Sequence, residues 1–226
     1  MEATRQGGRR GTTAGAAIGD KLYSTEVNGA LYVTDAATGA WKQIGKPEFR
    51  GTVFLAHTED TLYSVEATGS LYAINPNDGS WKPLGKPGEW AGTTAGTVHA
   101  GKLYTTEVNG ALYETDLSTG TWKAIGKPEF RATLVLLSNG SKLYSIERGG
   151  SLYEIDAATG AWKGLGKPGE WRGTTAAAIF DSKLYTTEAS GVLYETDLSS
   201  GKWKTVGKPE FKDTVVIFPA QTALPL

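Results

Sequence analysis

The chain has 226 residues and a mass of 24.0 kDa, enough for one large domain or two small ones with a sizeable core. Twenty-three basic residues balance 24 acidic ones, so the formal net charge is −1 and no basic excess points to nucleic acid or an anionic membrane. Cysteine is absent, which excludes disulfides, thiolate metal sites and a cysteine nucleophile in this chain, and leaves the compartment open.

Residues 1–10 are polar and rich in Gly and Arg, with no apolar central region, and read as a flexible lead-in rather than a secretory signal. No window approaches eighteen consecutive apolar residues, so no transmembrane helix is expected. From residue 11 the chain repeats. Leu-Tyr occurs at 22, 62, 103, 143 and 184, and again nine residues after each, at 31, 71, 112, 152 and 193. A Trp follows, at 41, 81, 122, 162 and 203, and then Gly-Lys-Pro, starting at 45, 85, 126, 166 and 207. The spacing alternates between 40 and 41 residues because two repeat types alternate. Type A ends in Lys-Pro-Glu-Phe, as at residues 46–49, and type B in Lys-Pro-Gly-Glu-Trp, as at 86–90. Residues 21–52 and 102–133, both type A, agree at 25 of 32 positions, which fits recent duplication or deliberate design.

Each repeat reads as four short strands bounded by turn residues. In the first, strand a is residues 12–18, b is 21–26, c is 30–35 and d is 40–45. Asn28-Gly29, repeated as Asn109-Gly110, is a hairpin signal between b and c. Asp35 opens the c–d turn, as do Asp116, Asp156 and Asp197, and a Gly supplies positive φ. Four strands per forty residues in tandem indicate an all-β fold, a β-propeller of four-stranded antiparallel blades. A hairpin array would leave long edges open, and a parallel β-helix lacks this punctuation.

Strand a occurs six times and strands b, c and d five times. The sixth copy starts at Thr214 and is bulky, like the type B copies at Thr52 and Thr133; the type A copies are small, with Ala14, Gly15, Ala16 and Ala17 in the first. The adopted reading is five blades spanning residues 11–220, with 213–220 closing beside the first blade or capping the ring, and 221–226 as a tail. The alternative is a six-bladed ring, incomplete or completed by another chain.

The order Arg-Gly-Thr (50–52), Leu-Tyr-x-x-Asp (112–116) and Thr-Gly-x-Trp-x-x-Ile-Gly (119–126) resembles a kelch-type blade over residues 11–220. It departs where kelch blades end strand b in Gly-Gly; here stand Thr25-Glu26 and Thr106-Glu107. The short blade and five-fold count also look similar to tachylectin- and tectonin-type lectin propellers, although no lectin motif matches residue for residue. Both resemblances imply binding rather than chemistry.

In a propeller the d–a and b–c loops share one face. The d–a loops carry Glu48, Phe49 and Arg50; Glu89 and Trp90; Glu129, Phe130 and Arg131; Glu170, Trp171 and Arg172; and Glu210 and Phe211. The b–c loops carry Glu26 and Asn28, repeated as Glu66, Glu107 with Asn109, Glu147 and Glu188. As a ligand site, each loop pair offers an aromatic platform with carboxylate, amide and guanidinium groups around it, suited to a sugar. Equivalent sites would give avidity. The competing reading has the aromatics plugging the gaps between blades and the glutamates bracing the loops. On the glycan reading Trp90 and Trp171, in the lengthened loops, are the exposed platforms, while the strand-d Trp and the Leu-Tyr pairs are expected in the core. His57 and His99 are unrepeated and show no metal-binding spacing. No catalytic motif, metal or cofactor is expected. The functional readings are a multivalent glycan-binding propeller, a protein-interaction scaffold, or a designed or reconstructed symmetric propeller without a ligand; the partner is a glycan or protein, and the chain a monomer or a chain-completed oligomer.

Overall fold

The computed structural model describes residues 11–219, so the expectations for a lead-in at 1–10 and a tail at 221–226 lie outside the described residues. Strands a to d of all five repeats fall where the repeat places them, whereas the expected sixth strand a, from Thr214, is no strand among the described residues. Blade one is β1 (Thr12–Ile18), β2 (Lys21–Glu26), β3 (Leu31–Asp35) and β4 (Trp41–Ile44). Blade two is β5 (Thr52–His57), β6 (Leu62–Glu66), β7 (Leu71–Ile74) and β8 (Trp81–Leu84). Blade three is β9 (Thr93–His99), β10 (Lys102–Glu107), β11 (Leu112–Asp116) and β12 (Trp122–Ile125). Blade four is β13 (Thr133–Ser138), β14 (Leu143–Glu147), β15 (Leu152–Ile155) and β16 (Trp162–Leu165). Blade five is β17 (Thr174–Phe180), β18 (Lys183–Glu188), β19 (Leu193–Asp197) and β20 (Trp203–Val206). Each blade is an antiparallel meander in sequence order, and the five form a ring: a five-bladed β-propeller. The six-bladed alternative for this chain is thereby set aside.

The turns hold as their residues predict. Asp35 Oδ1 accepts from the Ala37 and Thr38 amides and the Thr38 hydroxyl (3.2, 2.9 and 2.9 Å), and the Lys21 ammonium beside the same carboxyl holds it well below the usual carboxylate range. Asn28 Oδ1 accepts from the Ala30 amide (2.9 Å), closing the b–c hairpin. Gly29, at φ 89°, lies so close to the d–a loop that a Cβ there would sit 2.8 Å from the Pro47 carbonyl oxygen. The Phe49 amide donates to the Gly29 carbonyl (2.9 Å), and Phe130 and Phe211 repeat the bond on Gly110 and Gly191. The d–a and b–c loops of one blade are thus joined.

Hydrophobic burial connects the blades rather than filling each one. Phe49, Leu31 and Ile44 of blade one pack with Leu62 and Ile74 of blade two. Trp90 and Leu71 pack with Leu103, Phe130 and Leu112 with Leu143 and Ile155, and Trp171 and Leu152 with Leu184. Four such clusters join five blades in series. The innermost strands lie side by side in the same order, β1 with β5, β5 with β9, β9 with β13 and, more loosely, β13 with β17. Small type A strands accept bulky type B neighbours: a Cβ on Gly96 would fall 2.2 Å from the Phe54 ring. After blade five, residues 214–219 belong to no sheet among the described residues and lie against β1, where a Cβ on Gly15 would meet Phe218 at 3.0 Å and Val216 at 3.3 Å.

Candidate functional site

Phe49, Trp90, Phe130 and Trp171 are 0–3% exposed in the inter-blade clusters, plugging the gaps between blades as the competing reading has it, so Trp90 and Trp171 are not the exposed platforms the glycan reading required. Each loop folds back on the b–c hairpin and drives its ring between two blades, where burial is worth about 2–3 kcal/mol per ring. Trp171 Nε1–H reaches Thr196 Oγ1 of blade five (3.4 Å). Phe211 is only half-buried.

The five strand-d tryptophans, expected in the core, are instead 38–50% exposed. Each packs on the strand-c Tyr nine residues earlier: Trp41 on Tyr32, Trp81 on Tyr72, Trp122 on Tyr113, Trp162 on Tyr153 and Trp203 on Tyr194, with ring centroids 4.4–5.4 Å apart. The register explains the pairing. Trp122 lies opposite Thr115, so strand alternation puts Tyr113 and Trp122 on one face. The signal was present in the sequence as the constant nine-residue Tyr-to-Trp interval.

The preceding blade completes each aromatic pair, and the two repeat types do so differently. Where type A precedes type B, the loop glutamate bonds the indole: Trp81 Nε1–H donates to Glu48 (2.8 Å) and Trp162 to Glu129 (3.0 Å). Where type B precedes type A, the extra Gly turns the glutamate back on its own loop. Glu89 accepts from the Lys86 amide and Glu170 from the Lys167 amide (2.7 Å each). Among the described residues, the indole N–H of Trp122 and of Trp203 then has no hydrogen-bond acceptor. At the junction of blades two and three, Glu89, Trp90, Glu107, Tyr113 and Trp122 line one shallow, open depression.

The remaining predicted residues divide by burial. Arg50, Arg131, Arg172, Glu48, Glu129 and Glu210 are exposed at loop surfaces, and Asn109, like Asn28, accepts from the amide two residues on (2.8 Å). The strand-b glutamates are braces. Glu66 and Glu147 accept from the Thr52 and Thr133 hydroxyls (2.9 Å each), Glu147 also from Ser145 (2.8 Å), and Glu107 from Thr93 (3.1 Å). Burial pushes all three carboxyls above their ordinary value. Glu26 is half-buried. His57 is exposed, whereas His99 is buried, bonded to Ser138 Oγ (2.9 Å) and packed on the Tyr104 edge; burial lowers its pKa. Among the described residues no three His, Cys, Asp or Glu side chains cluster to hold a metal ion.

No protein-family model matches the chain, so neither the kelch nor the tachylectin resemblance gains support, and no curated protein is significantly similar. Solved structures share the fold. A structural-genomics protein of unknown function from Bacteroides thetaiotaomicron aligns at TM-score 0.68 and 14% identity over 86% of this chain and 57% of its own. The computationally designed Ika8 aligns at 0.56 and 16% over 92% of this chain and 65% of its own. PorZ, a surface component of the type-IX secretion system of Porphyromonas gingivalis, aligns at 0.57 and 14% over 86% of this chain and 28% of its own. At such identities the likeness is one of fold alone, and the chain spans less than two thirds of each of these neighbours.

Proposed function

We propose that this propeller is a non-catalytic, multivalent binding protein for carbohydrate, acting through the Tyr-Trp pairs on its outer strands. The observation that carries the reading is Trp122, 45% exposed, with its indole N–H unbonded among the described residues, beside a depression that Glu89 and Glu107 edge. An exposed indole face suits the C–H face of a pyranose, while carboxylate oxygens and an indole N–H suit its hydroxyls. At the junction of blades four and five, Trp203 is 46% exposed and packs on Tyr194, with Glu170 turned back on its own loop as Glu89 is. Single sites of this shallow kind bind weakly, at about 1 mM, and several on one ring raise the avidity for a branched or surface-borne glycan.

The test is a broad glycan array, followed by tryptophan-fluorescence titration of each hit. Trp122→Ala with Trp203→Ala abolishes binding in a folded protein; Trp81→Ala with Trp162→Ala, whose indoles are already bonded, retains most of it. Silence across the array overturns the glycan reading. A second reading, a protein-interaction scaffold, requires a contiguous apolar patch on one face; Val27 and Val108, 59% and 60% exposed, stand on the b–c loops of non-adjacent blades one and three. The designed neighbour is compatible with a third, a symmetric ring without a ligand.

A further inference from the structure

Two carboxyls meet at the depression between blades two and three, and among the described residues neither has a cation within ion-pair distance. Glu107, at the end of β10, is only 7% exposed, yet it lines the depression. One hydroxyl serves it, that of Thr93 on Oε1 (3.1 Å), and its Oε2 has no donor among the described residues. Its counterpart in blade four, Glu147, accepts from the Thr133 and Ser145 hydroxyls and from the Ala132 amide. The sequence supplies part of the cause. Thr105 stands in blade three where blade four has Ser145, and the fully buried Thr105 hydroxyl finds no partner among the described residues.

Glu89, from the loop that enters blade three, spends Oε2 on the Lys86 amide (2.7 Å) and has no donor on Oε1 among the described residues. The lysines of β10 and β12, Lys102 and Lys123, are both taken by Glu114. Three rings complete the lining: Trp90, and the nearly perpendicular pair of Tyr113 and Trp122, whose centroids are 5.0 Å apart. Other junctions lack this combination. Between blades one and two, and between three and four, the loop glutamate is bonded to the indole of Trp81 or Trp162. Between blades four and five, Glu188 is half-buried and in reach of the Ser190 hydroxyl (3.4 Å), and Trp171 reaches Thr196. Thr115, the counterpart of Thr196 in blade three, receives no such bond among the described residues.

Donor count and charge select a ligand for this place. Burial pushes the Glu107 carboxyl above its ordinary value, and a cation at its open oxygen would relieve that cost. An ammonium carries three N–H donors, enough for an oxygen of each carboxyl at once, and aromatic faces attract it. A sugar hydroxyl has one donor and no charge. An N-acetyl group has one N–H, no charge and added bulk. An acidic sugar is repelled by both carboxylates.

We propose that the depression between blades two and three selects an amino sugar in its ammonium form, the nitrogen bonding Glu107 and Glu89 and the pyranose lying on Trp122. The proposal rests on the carbohydrate reading and names the sugar class within it.

The experiment titrates the full chain with a β-1,4-linked glucosamine trisaccharide, its fully N-acetylated form and the matching glucose trisaccharide. Methylammonium chloride is the alkylammonium control. The indole N–H resonances, assigned by single Trp→Phe variants, report affinity and place. The amino trisaccharide is expected to bind at least about tenfold more tightly than the other two sugars and to shift the Trp122 resonance more than those of Trp81 and Trp162. Glu107→Gln, close to the parent in shape, reduces that preference about tenfold, and Glu89→Gln acts likewise and keeps the test answerable if the first variant unfolds. Equal affinity for all three sugars sinks the proposal and leaves the carbohydrate reading standing, whereas silence with every sugar removes both. A preference that survives both substitutions, or methylammonium binding as tightly as the amino trisaccharide, also overturns it.

Discussion

The four sealed junctions and the seam between blades five and one are made of the same repeated residues, yet they end in different states. Phe49 and Phe211 both follow Lys-Pro-Glu and both bond the hairpin glycine of their own blade, but Phe49 is fully buried and Phe211 only half-buried. A blade therefore does not carry its own core. Its stability is lent by its neighbours, as in repeat proteins generally, and identical sequence contributes unequally at the ends of the series.

The largest expected effect breaks or confirms this contrast. Phe49→Ala or Phe130→Ala lowers unfolding free energy by about 3–5 kcal/mol, and Phe211→Ala by less than about 1 kcal/mol, measured by urea unfolding. Equal losses would show that the seam is as tightly packed as the rest. Overpacking gives a second, smaller contrast. Gly96→Ala meets the Phe54 ring at 2.2 Å and costs about 1–3 kcal/mol, whereas Gly15→Ala meets the Phe218 and Val216 side chains and the Tyr23 carbonyl oxygen at 3.0–3.3 Å and costs less, about 1 kcal/mol.

Two acids sharpen the comparison by titrating with opposite sign. Burial raises Glu147 above its ordinary 4.5, so its contribution to stability is complete below that value and is lost as pH rises through the raised one. Glu147→Gln therefore gains Tm relative to the parent on going from pH 4 to pH 7. Asp156 is partly exposed in its turn and is lowered to about 2 by Lys142 first and then by Thr159. Its contribution is present above 3.8 and lost as pH falls through about 2, so Asp156→Asn loses Tm relative to the parent near neutrality and converges with it in acid. The test is a series of thermal melts of the parent and both variants. The same sign in both would sink the assignment of burial to one and ion pairing to the other.

The smallest expected effect lies on the outer strands. Trp122→Ala changes stability by about 1 kcal/mol or less, the worth of a partly exposed aromatic pair, while removing a ligand contact. A loss as large as that of Phe49→Ala would place Trp122 among the structural residues.

The repeat made most of the fold legible. Strands a and b of the first repeat were placed residue for residue, and the Asn-Gly hairpins and Asp-led turns were read from chemistry that acts within five residues. The tryptophans were misplaced because local pattern is silent about distance from the axis. Strand alternation assigns Trp122 to the face of Tyr113 and Thr115, and Thr115 is fully buried while Trp122 is not. Blades diverge as they radiate, so a face that is covered near the axis opens at the rim.

What the sequence determined by itself was the unit: four strands, their turns, their register and the alternation of two types, all set by short-range hydrogen bonding and steric preference. What the tertiary structure alone decided was which apolar groups found cover. A loop phenylalanine entered the core because a blade stood beside it, a tryptophan stayed at the surface because the wedge widened there, and Phe211 kept part of its surface because burial is a property of the neighbour rather than of the residue.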